Sequence, residues 1–365
     1  MKGIGVYIHI PFCRRKCPYC DFYSVGYSDE KADRYTEKVC SAVRYFSESI
    51  GRNADTLYFG GGTPGIIGAE RLCRMVGEVR ENFGFSENVE ITVEVNPEKE
   101  DIDFEKMRKN GINRISIGLQ SADDRELKIL GRLHNVRQAE QCIERAKNAG
   151  FENISLDLMT ATPLQTMESL ERSIEFCAEK EVQHISAYIL KIEQGTPYYP
   201  MRENLGICGE EEQAEMYLLT VEKLKEYGYG QYEISNFCRR GFESRHNLKY
   251  WHDEEYIGIG ASAHSFVNGE RFYFARSFED FYDLKTVSDG TGGSEEEFIM
   301  LALRLSEGLQ EKRFQERFGK SIPEIYRKNA VRFAKHGFLA IDSDGIRLTP
   351  KGFLLSNYII SEILG

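Results

Sequence analysis

No apolar run in this 365-residue chain approaches the ~18 residues that a membrane-spanning helix needs, so no such span is expected. Basic charge is in deficit: 47 Lys and Arg face 58 Asp and Glu, a formal net charge of −11. A surface of that sign does not draw nucleic acid or an anionic membrane by bulk electrostatics, so neither is an expected partner. The apolar opening, Gly3 to Ile10, lacks a small-residue cleavage site and runs straight into Pro-Phe-Cys-Arg-Arg-Lys-Cys. It reads as a buried strand, not an export signal. Nine cysteines without such a signal point to the reducing cytoplasm, where clustered thiols bind metal or do chemistry.

What is present is a soluble mixture, 41% hydrophobic and 29% charged. At about 150 residues per domain this length predicts two or three domains. Strands are expected at Gly5–Ile10, Thr56–Gly61, Glu90–Asn96, Arg114–Gln120, Asn153–Met159 and His184–Ile192. Between them, charged periodic segments predict helices at Lys31–Ile50, Ala69–Phe83, Val136–Asn148, Thr166–Glu181 and Glu211–Tyr227. Several of these end at a glycine (Gly111, Gly150, Gly228), the residue that best tolerates a left-handed helix end. Gly-Ile-Asn-Arg-Ile-Ser (111–116) echoes Gly-Phe-Glu-Asn-Ile-Ser (150–155), each joining a helix end to a strand start. Six such units fall short of the eight that close a full barrel, so an α/β, open, partial (β/α)6 barrel over residues 1–228 is predicted.

Residues 229–293, rich in Gly, Tyr, Phe, Asn and Ser, predict a strand-and-loop extension. Residues 294–365 predict a C-terminal α+β domain of winged-helix type, with an Asp344-Gly345 turn between two strands. Arg327, Lys328, Arg332 and Lys335 on its helix suit DNA in principle, but the acidic total favours a solvated face.

The sharpest signal is Cys13, Cys17 and Cys20, spaced C-x3-C-x2-C directly after the first strand. Three thiolates in eight residues can converge on one inorganic centre. A [4Fe–4S] cube ordinarily takes four cysteines, so three leave one iron open. A zinc knuckle completed by histidine, or thiols without a ligand role, are the alternatives. The other six cysteines are scattered, and no second pair completes a zinc ribbon.

Tyr7-Ile-His-Ile-Pro-Phe-Cys13-Arg-Arg-Lys-Cys17-Pro-Tyr-Cys20 resembles the signature of radical S-adenosylmethionine (SAM) enzymes, in the branch of oxygen-independent coproporphyrinogen III oxidases. The resemblance continues through Gly60-Gly-Gly-Thr-Pro64, Glu94-Val-Asn-Pro97, Ser116-Ile-Gly-Leu-Gln-Ser121, Gly131-Arg-Leu-His134 and Gln231-Tyr-Glu-Ile-Ser-Asn236. It implies that the three cysteines hold three irons, that SAM chelates the fourth, and that an electron from the cluster splits SAM to a 5′-deoxyadenosyl radical. It further implies SAM contacts at Tyr7, Tyr19, Gly61, Gly62, Thr63, Glu94, Gln120, Arg132 and Asp157. Read alone, the three glycines are a flexible turn and each polar residue a satisfied structural group. Gly258-Ile-Gly260-Ala-Ser-Ala263 mimics a dinucleotide fingerprint but sits outside the strand–helix repeat, so a tight loop is expected; the resemblance implies that this loop lies near the SAM site with His264 facing it.

That branch divides into oxidases and haem chaperones of the HemW type. Oxidases carry a cysteine two residues after the third cluster cysteine and a longer segment before the first strand; here Phe22 stands in the first place and the strand begins almost at Met1. His246-Asn-Leu-Lys-Tyr250-Trp251 resembles the H-N-x-x-Y-W motif of the chaperones, which implies haem on His246, with Tyr250 and Trp251 as flat surfaces. The plain alternative is a loop histidine with core aromatics. The resemblance thus implies a haem chaperone with an unknown haem-accepting partner, and a porphyrin-acting radical SAM oxidase as the second reading. Arg14, Arg15 and Lys16 suggest a dock for an acidic flavodoxin or ferredoxin. One departure stands out: where the family has Asp-Leu-x-Tyr-Gly-Leu-Pro-Gly-Gln-Thr, this chain reads Asp157-Leu-Met-Thr-Ala-Thr-Pro163-Leu-Gln-Thr166, and an altered loop shape near SAM is expected.

Overall fold

The computed structural model describes residues 3–98 and 102–365. Six strands, β1 (Ile4–Ile10), β2 (Ala54–Gly61), β3 (Phe85–Val95), β4 (Arg114–Gln120), β5 (Ile154–Thr160) and β6 (His184–Ile189), lie side by side in chain order, all parallel. A seventh parallel strand, β7 (Tyr256–Ile259), pairs with the free edge of β1 from more than 240 residues away in the chain. The partial barrel therefore stands, with one parallel strand more than expected. It comes from the segment read as an extension, which supplies both sheet edges: Gly230–Gln231 and Asn236–Cys238 continue beyond β6, while His264–Val267, Glu270–Phe274 and Thr286–Thr291 continue beyond β7.

Period-two alternation gives the sheet two faces of opposite character. The outward-facing residues Val6, Ile8, Leu57, Phe59, Ile91, Val93, Ile115, Ile117, Leu156 and Ile185 join one apolar core with the helices outside. The opposite face carries Tyr7, Thr56, Tyr58, Glu90, Thr92, Glu94, Arg114, Ser116, Asp157, His184 and Ser186. Cross-strand register sets Tyr7 beside Tyr58, Tyr58 beside Thr92 and Asp157 beside Ser186. A lumen lined this way is polar, unlike the Val, Ile and Leu layers that fill a closed (β/α)8 barrel.

The helices form where predicted, at Asp29–Ile50, Ala69–Asn82, Val136–Asn148, Met167–Glu179 and Glu210–Glu226. The 136–148 helix starts on a reciprocal cap between Asn135 and Gln138. Gly111, Gly150 and Gly228 all take positive φ, as their helix-end positions require.

Residues 309–310, 345–348 and 339–342 form a three-stranded antiparallel sheet packed with helices 295–302, 311–318, 324–335 and 356–364 around a separate core of Phe298, Phe314, Ile346 and Ile359. Asp342 accepts from the N–H groups of Asp344 and Gly345, closing the predicted turn. In the basic helix, Arg327 pairs with Glu311 and Arg332 with Glu362. No helix among the described residues is long and apolar enough to cross a membrane.

Candidate functional site

The loop carrying the cysteines leaves the C-terminal end of β1. Its base is closed by a two-stranded ladder, Phe12–Cys13 against Val25–Gly26, and Cys20 N–H bonds back to Cys17 carbonyl. Beneath it runs the glycine turn that ends β2: Gly62 N–H donates to Ile10 carbonyl at 2.9 Å and Thr63 N–H to Phe12 carbonyl at 2.8 Å. A Cβ on Gly62 would lie 2.6 Å from the Phe12 carbonyl oxygen, so only glycine allows this approach.

A polar chain joins two of the thiols. Cys13 Sγ lies 3.6 Å from Thr63 Oγ1, and Asn96 Nδ2 donates to the same Oγ1 at 3.0 Å. Arg132 Nη2 donates to Asn96 Oδ1 at 2.6 Å, and its Nη1 reaches Cys17 Sγ at 3.5 Å. Arg132 Nε is buried without a partner among the described residues. All three thiols are free and partly exposed. Burial pushes the Cys13 and Cys20 thiols up, with Thr63 drawing Cys13 part of the way back. Among the described residues no three His, Cys, Asp or Glu side chains converge tightly enough to hold a single metal ion. A cube takes one cysteine per iron, and the three free thiols after β1 supply three. The residues fit the cluster: free thiols, a neighbouring guanidinium and a glycine cradle.

At the mouth of the lumen, Glu94 Oε1 accepts from Tyr58 Oη at 2.8 Å and its Oε2 from Gly61 N–H at 3.3 Å. Burial, then the nearby Asp157 carboxylate, lift the Glu94 pKa to about 7. Asp157 is itself raised by burial and accepts from Ser116 Oγ at 3.1 Å. Gln120 ends β4 with φ 71°, a conformation that costs a non-glycine residue and recurs at functional sites. Tyr7 Oη bonds His9 Nδ1 at 3.0 Å, and the Tyr19 hydroxyl is raised chiefly by burial. Most of the expected cluster and SAM residues thus lie at the C-terminal ends of the strands or in the loops beyond them, while Tyr7 and Asp157 sit mid-strand, deeper in the lumen. Asn96 and Tyr58 were not singled out from the sequence; Asn96 stood inside the quoted Glu94–Pro97 motif, while nothing in the local sequence marks Tyr58.

Gly260 sits in a tight loop over His9, where Tyr35 Oη donates to His9 carbonyl at 2.9 Å and accepts from Ala261 N–H at 3.0 Å. The loop expectation holds, and no βαβ unit follows it. His264 is exposed and stacks on Tyr273.

His246 has the least expected surroundings. Helix 245–251 docks at the other end of the lumen, its first N–H groups bound by Glu90: Arg245 N–H at 3.1 Å and His246 N–H at 3.0 Å. The His246 ring is 1% exposed and stacks on Tyr58 and Tyr7. Its Nδ1 pairs with Thr56 Oγ1 and its Nε2 with Tyr250 Oη, both at 2.8 Å. Burial, then Lys249 and Arg114, drop its pKa to about 3, so the ring is neutral. Both nitrogens are engaged inside the barrel; iron can reach one only if that hydrogen bond is given up. Tyr250 packs edge-on against Tyr256, and Trp251 is half-buried.

A parallel barrel with three cysteines after β1 and a glycine turn after β2 defines a radical SAM protein, and the radical SAM superfamily model matches residues 7–177. The HemN C-terminal domain model matches residues 296–355. The heme chaperone HemW of Bacillus subtilis is 34% identical over 377 residues, covering 99% of this chain and 99% of its own length. That of Lactococcus lactis is 34% identical, covering 100% and 98%, and that of Haemophilus influenzae 32%, covering 100% and 98%. The chain belongs to the HemW heme chaperone family. Among solved structures, the coproporphyrinogen III oxidase HemN of Escherichia coli superimposes with a TM-score of 0.85 at 22% identity, covering 99% of this chain and 90% of that one, a likeness of fold.

Proposed function

We propose that the protein binds haem, carries a [4Fe–4S] cluster with exchangeable SAM, and passes haem to an acceptor protein. The Cys13–Thr63–Asn96–Arg132–Cys17 chain carries the cofactor half of this reading. Cys13, Cys17 and Cys20 take three irons. Gly61, Gly62 and Thr63 lie against the methionine end of SAM, while Glu94 and Asp157 accept from its ribose hydroxyls. Gln120 and Arg132 orient the ligand, and Tyr7 and Tyr19 shield the cluster from water. When bound, the cluster and SAM supply one-electron reductive chemistry. An acidic flavodoxin or ferredoxin is the expected electron source, at Arg14, Arg15 and Lys16. Thiols that must stay reduced suit the cytoplasm.

The haem half rests on full-length similarity to heme chaperones and on Phe22. This side chain is 67% exposed two residues beyond Cys20, where the resemblance places a cysteine in oxidases. The test uses the anaerobically reconstituted chain. Haemin titrated into it saturates near one equivalent, and coproporphyrinogen III with SAM and reductant yields no protoporphyrinogen. Formation of protoporphyrinogen would establish the oxidase instead, and a non-saturating titration would remove haem carriage.

A further inference from the structure

The chain of polar contacts between Cys13 and Cys17 has a direction as well as a path. A guanidinium holds only donors, so the Asn96 atom that meets Arg132 Nη2 at 2.6 Å is its side-chain oxygen. That fixes the amide, whose Nδ2 then donates to Thr63 Oγ1 at 3.0 Å. A hydroxyl has one proton. With Asn96 donating to the Thr63 oxygen, that proton is free for Cys13 Sγ, 3.6 Å away. At the other end Arg132 Nη1 donates to Cys17 Sγ at 3.5 Å. Two sulfurs thus sit as acceptors at the ends of one oriented relay, and Asn96 sets its direction.

The fold makes room for this amide. Asn96 directly follows β3, Thr63 is buried on the glycine turn after β2, and Arg132 stands in the loop before helix 136–148. Arg132 Nη2 also donates to Gly118 carbonyl at 3.0 Å, which pins the guanidinium to β4. A Cβ on Gly118 would lie 2.9 Å from Asn96 Oδ1 and 3.2 Å from Arg132 Nη2, so a glycine here lets the pair meet. Side chains from three separate loops therefore converge on two thiols.

We propose that Asn96 is a positioning residue that raises the cluster's reduction potential, by aiming the Thr63 hydroxyl at Cys13 while it steadies Arg132 against Cys17. The inference rests on the cluster half of the function proposed above and adds a redox role to it. Once the thiolates hold iron they can only accept, and donors on them offset the extra negative charge of the reduced state. With two such donors the cluster is easier to load with an electron and a milder reductant.

The experiment anaerobically reconstitutes full-length wild type, Asn96→Asp, Thr63→Val, Thr63→Ser and the Asn96→Asp/Thr63→Val double variant. Without SAM, the EPR signal of the reduced cluster is followed against applied potential, with iron content and thermal melting alongside. The midpoint belongs to loaded protein alone, so partial loading does not move it. Thr63→Val removes the hydroxyl at nearly constant shape. Its reduced-to-oxidised ratio at a fixed poise should fall about tenfold, which is 59 mV for a one-electron couple. Thr63→Ser should keep the wild-type midpoint. Asn96→Asp presents a carboxylate that only accepts, which draws the Thr63 proton off Cys13 and also adds charge. In the Thr63→Val background only the charge remains, so there the same substitution should shift the midpoint less. Equal shifts in both backgrounds would overturn the relay, as would a wild-type midpoint in Thr63→Val or a Thr63→Ser midpoint that matches it. A variant that takes up no iron, or melts earlier at an unmoved midpoint, would mark a purely structural role and overturn it too. Wild type that takes up no iron would overturn the cluster reading itself.

Discussion

The hydroxyl of Tyr58 donates to Glu94 at 2.8 Å while the ring of Tyr58 stacks on His246 at 5.2 Å. One side chain therefore touches both the carboxylate beneath the Gly61 turn and the histidine at the far end of the lumen. With its pKa near 7, Glu94 is half protonated at neutral pH, and only its ionised form accepts from both ribose hydroxyls. SAM affinity of the reconstituted protein should rise as pH increases from 6 to 8. Tyr58→Phe removes the bond that draws this pKa down, so its midpoint should move upward. Calorimetric titration across that range checks both; a flat wild-type profile counts against Glu94 as the ribose acceptor.

The same shift carries a stability sign. The folded chain holds the Glu94 proton up to about pH 7, whereas an unfolded glutamate releases it near its ordinary value of 4.5. Folding is thus progressively weakened by this group as pH rises between those values. Glu94→Gln should remove that contribution, so the variant gains stability relative to wild type on going from pH 5 to 7 in urea titrations.

Leu164 occupies φ 68° with its side chain 61% exposed, at a position where the family pattern has glycine. The backbone keeps the glycine conformation although the glycine is gone, at a cost of about 1–2 kcal/mol for a left-handed L-residue. Glycine loses about 0.5–1 kcal/mol more on ordering. Leu164→Gly should therefore stabilise the protein by about 0.5–1 kcal/mol, read as a higher melting temperature. A lower one would show that Leu164 makes a contact worth more than the strain.

Gly62→Ala drives a Cβ to 2.6 Å from the Phe12 carbonyl oxygen, and backbone must move to admit it. A cost of about 1–3 kcal/mol is expected. Because the displaced strand leads directly into Cys13, iron content after reconstitution should fall along with stability. Wild type should take up about four irons. Single Ala variants of Cys13, Cys17 or Cys20 should lose the cluster, and Cys40→Ala, buried in helix 29–50, should keep it.

Arg14, Arg15 and Lys16 are exposed beside the cluster loop, with Arg15 Nη2 tied to Gly131 carbonyl at 2.7 Å. Lys16→Glu should slow reduction by an acidic flavodoxin at low salt. The difference should vanish near 1 M salt, where screening acts within about 3 Å. Equal rates at low ionic strength would rule out docking there.

Much of this architecture is legible locally. Arg114–Gln120 and Val136–Asn148 fall where the pattern predicted, because β-branched alternation and an Asn135 cap act within a few residues. The three cysteines are equally plain, since a loop of eight residues holds all of them. Tyr58 and Asn96 were harder to see: a Tyr on a strand looks the same whether it faces helices or a lumen, and only register decides.

By itself the sequence determined the parallel strand–helix alternation, the thiol cluster and the separate C-terminal domain, all set by spacings within one element or its neighbour. Tertiary structure alone decided that residues 256–259 complete the parallel sheet beside β1. It also decided that His246 is sealed between Thr56 and Tyr250 while His252, six residues on, opens to a cleft. Burial and hydrogen-bond occupancy are properties of what packs around a residue from distant parts of the chain. The helix carrying both histidines reads as one motif, yet one end is sealed in protein while the other borders solvent.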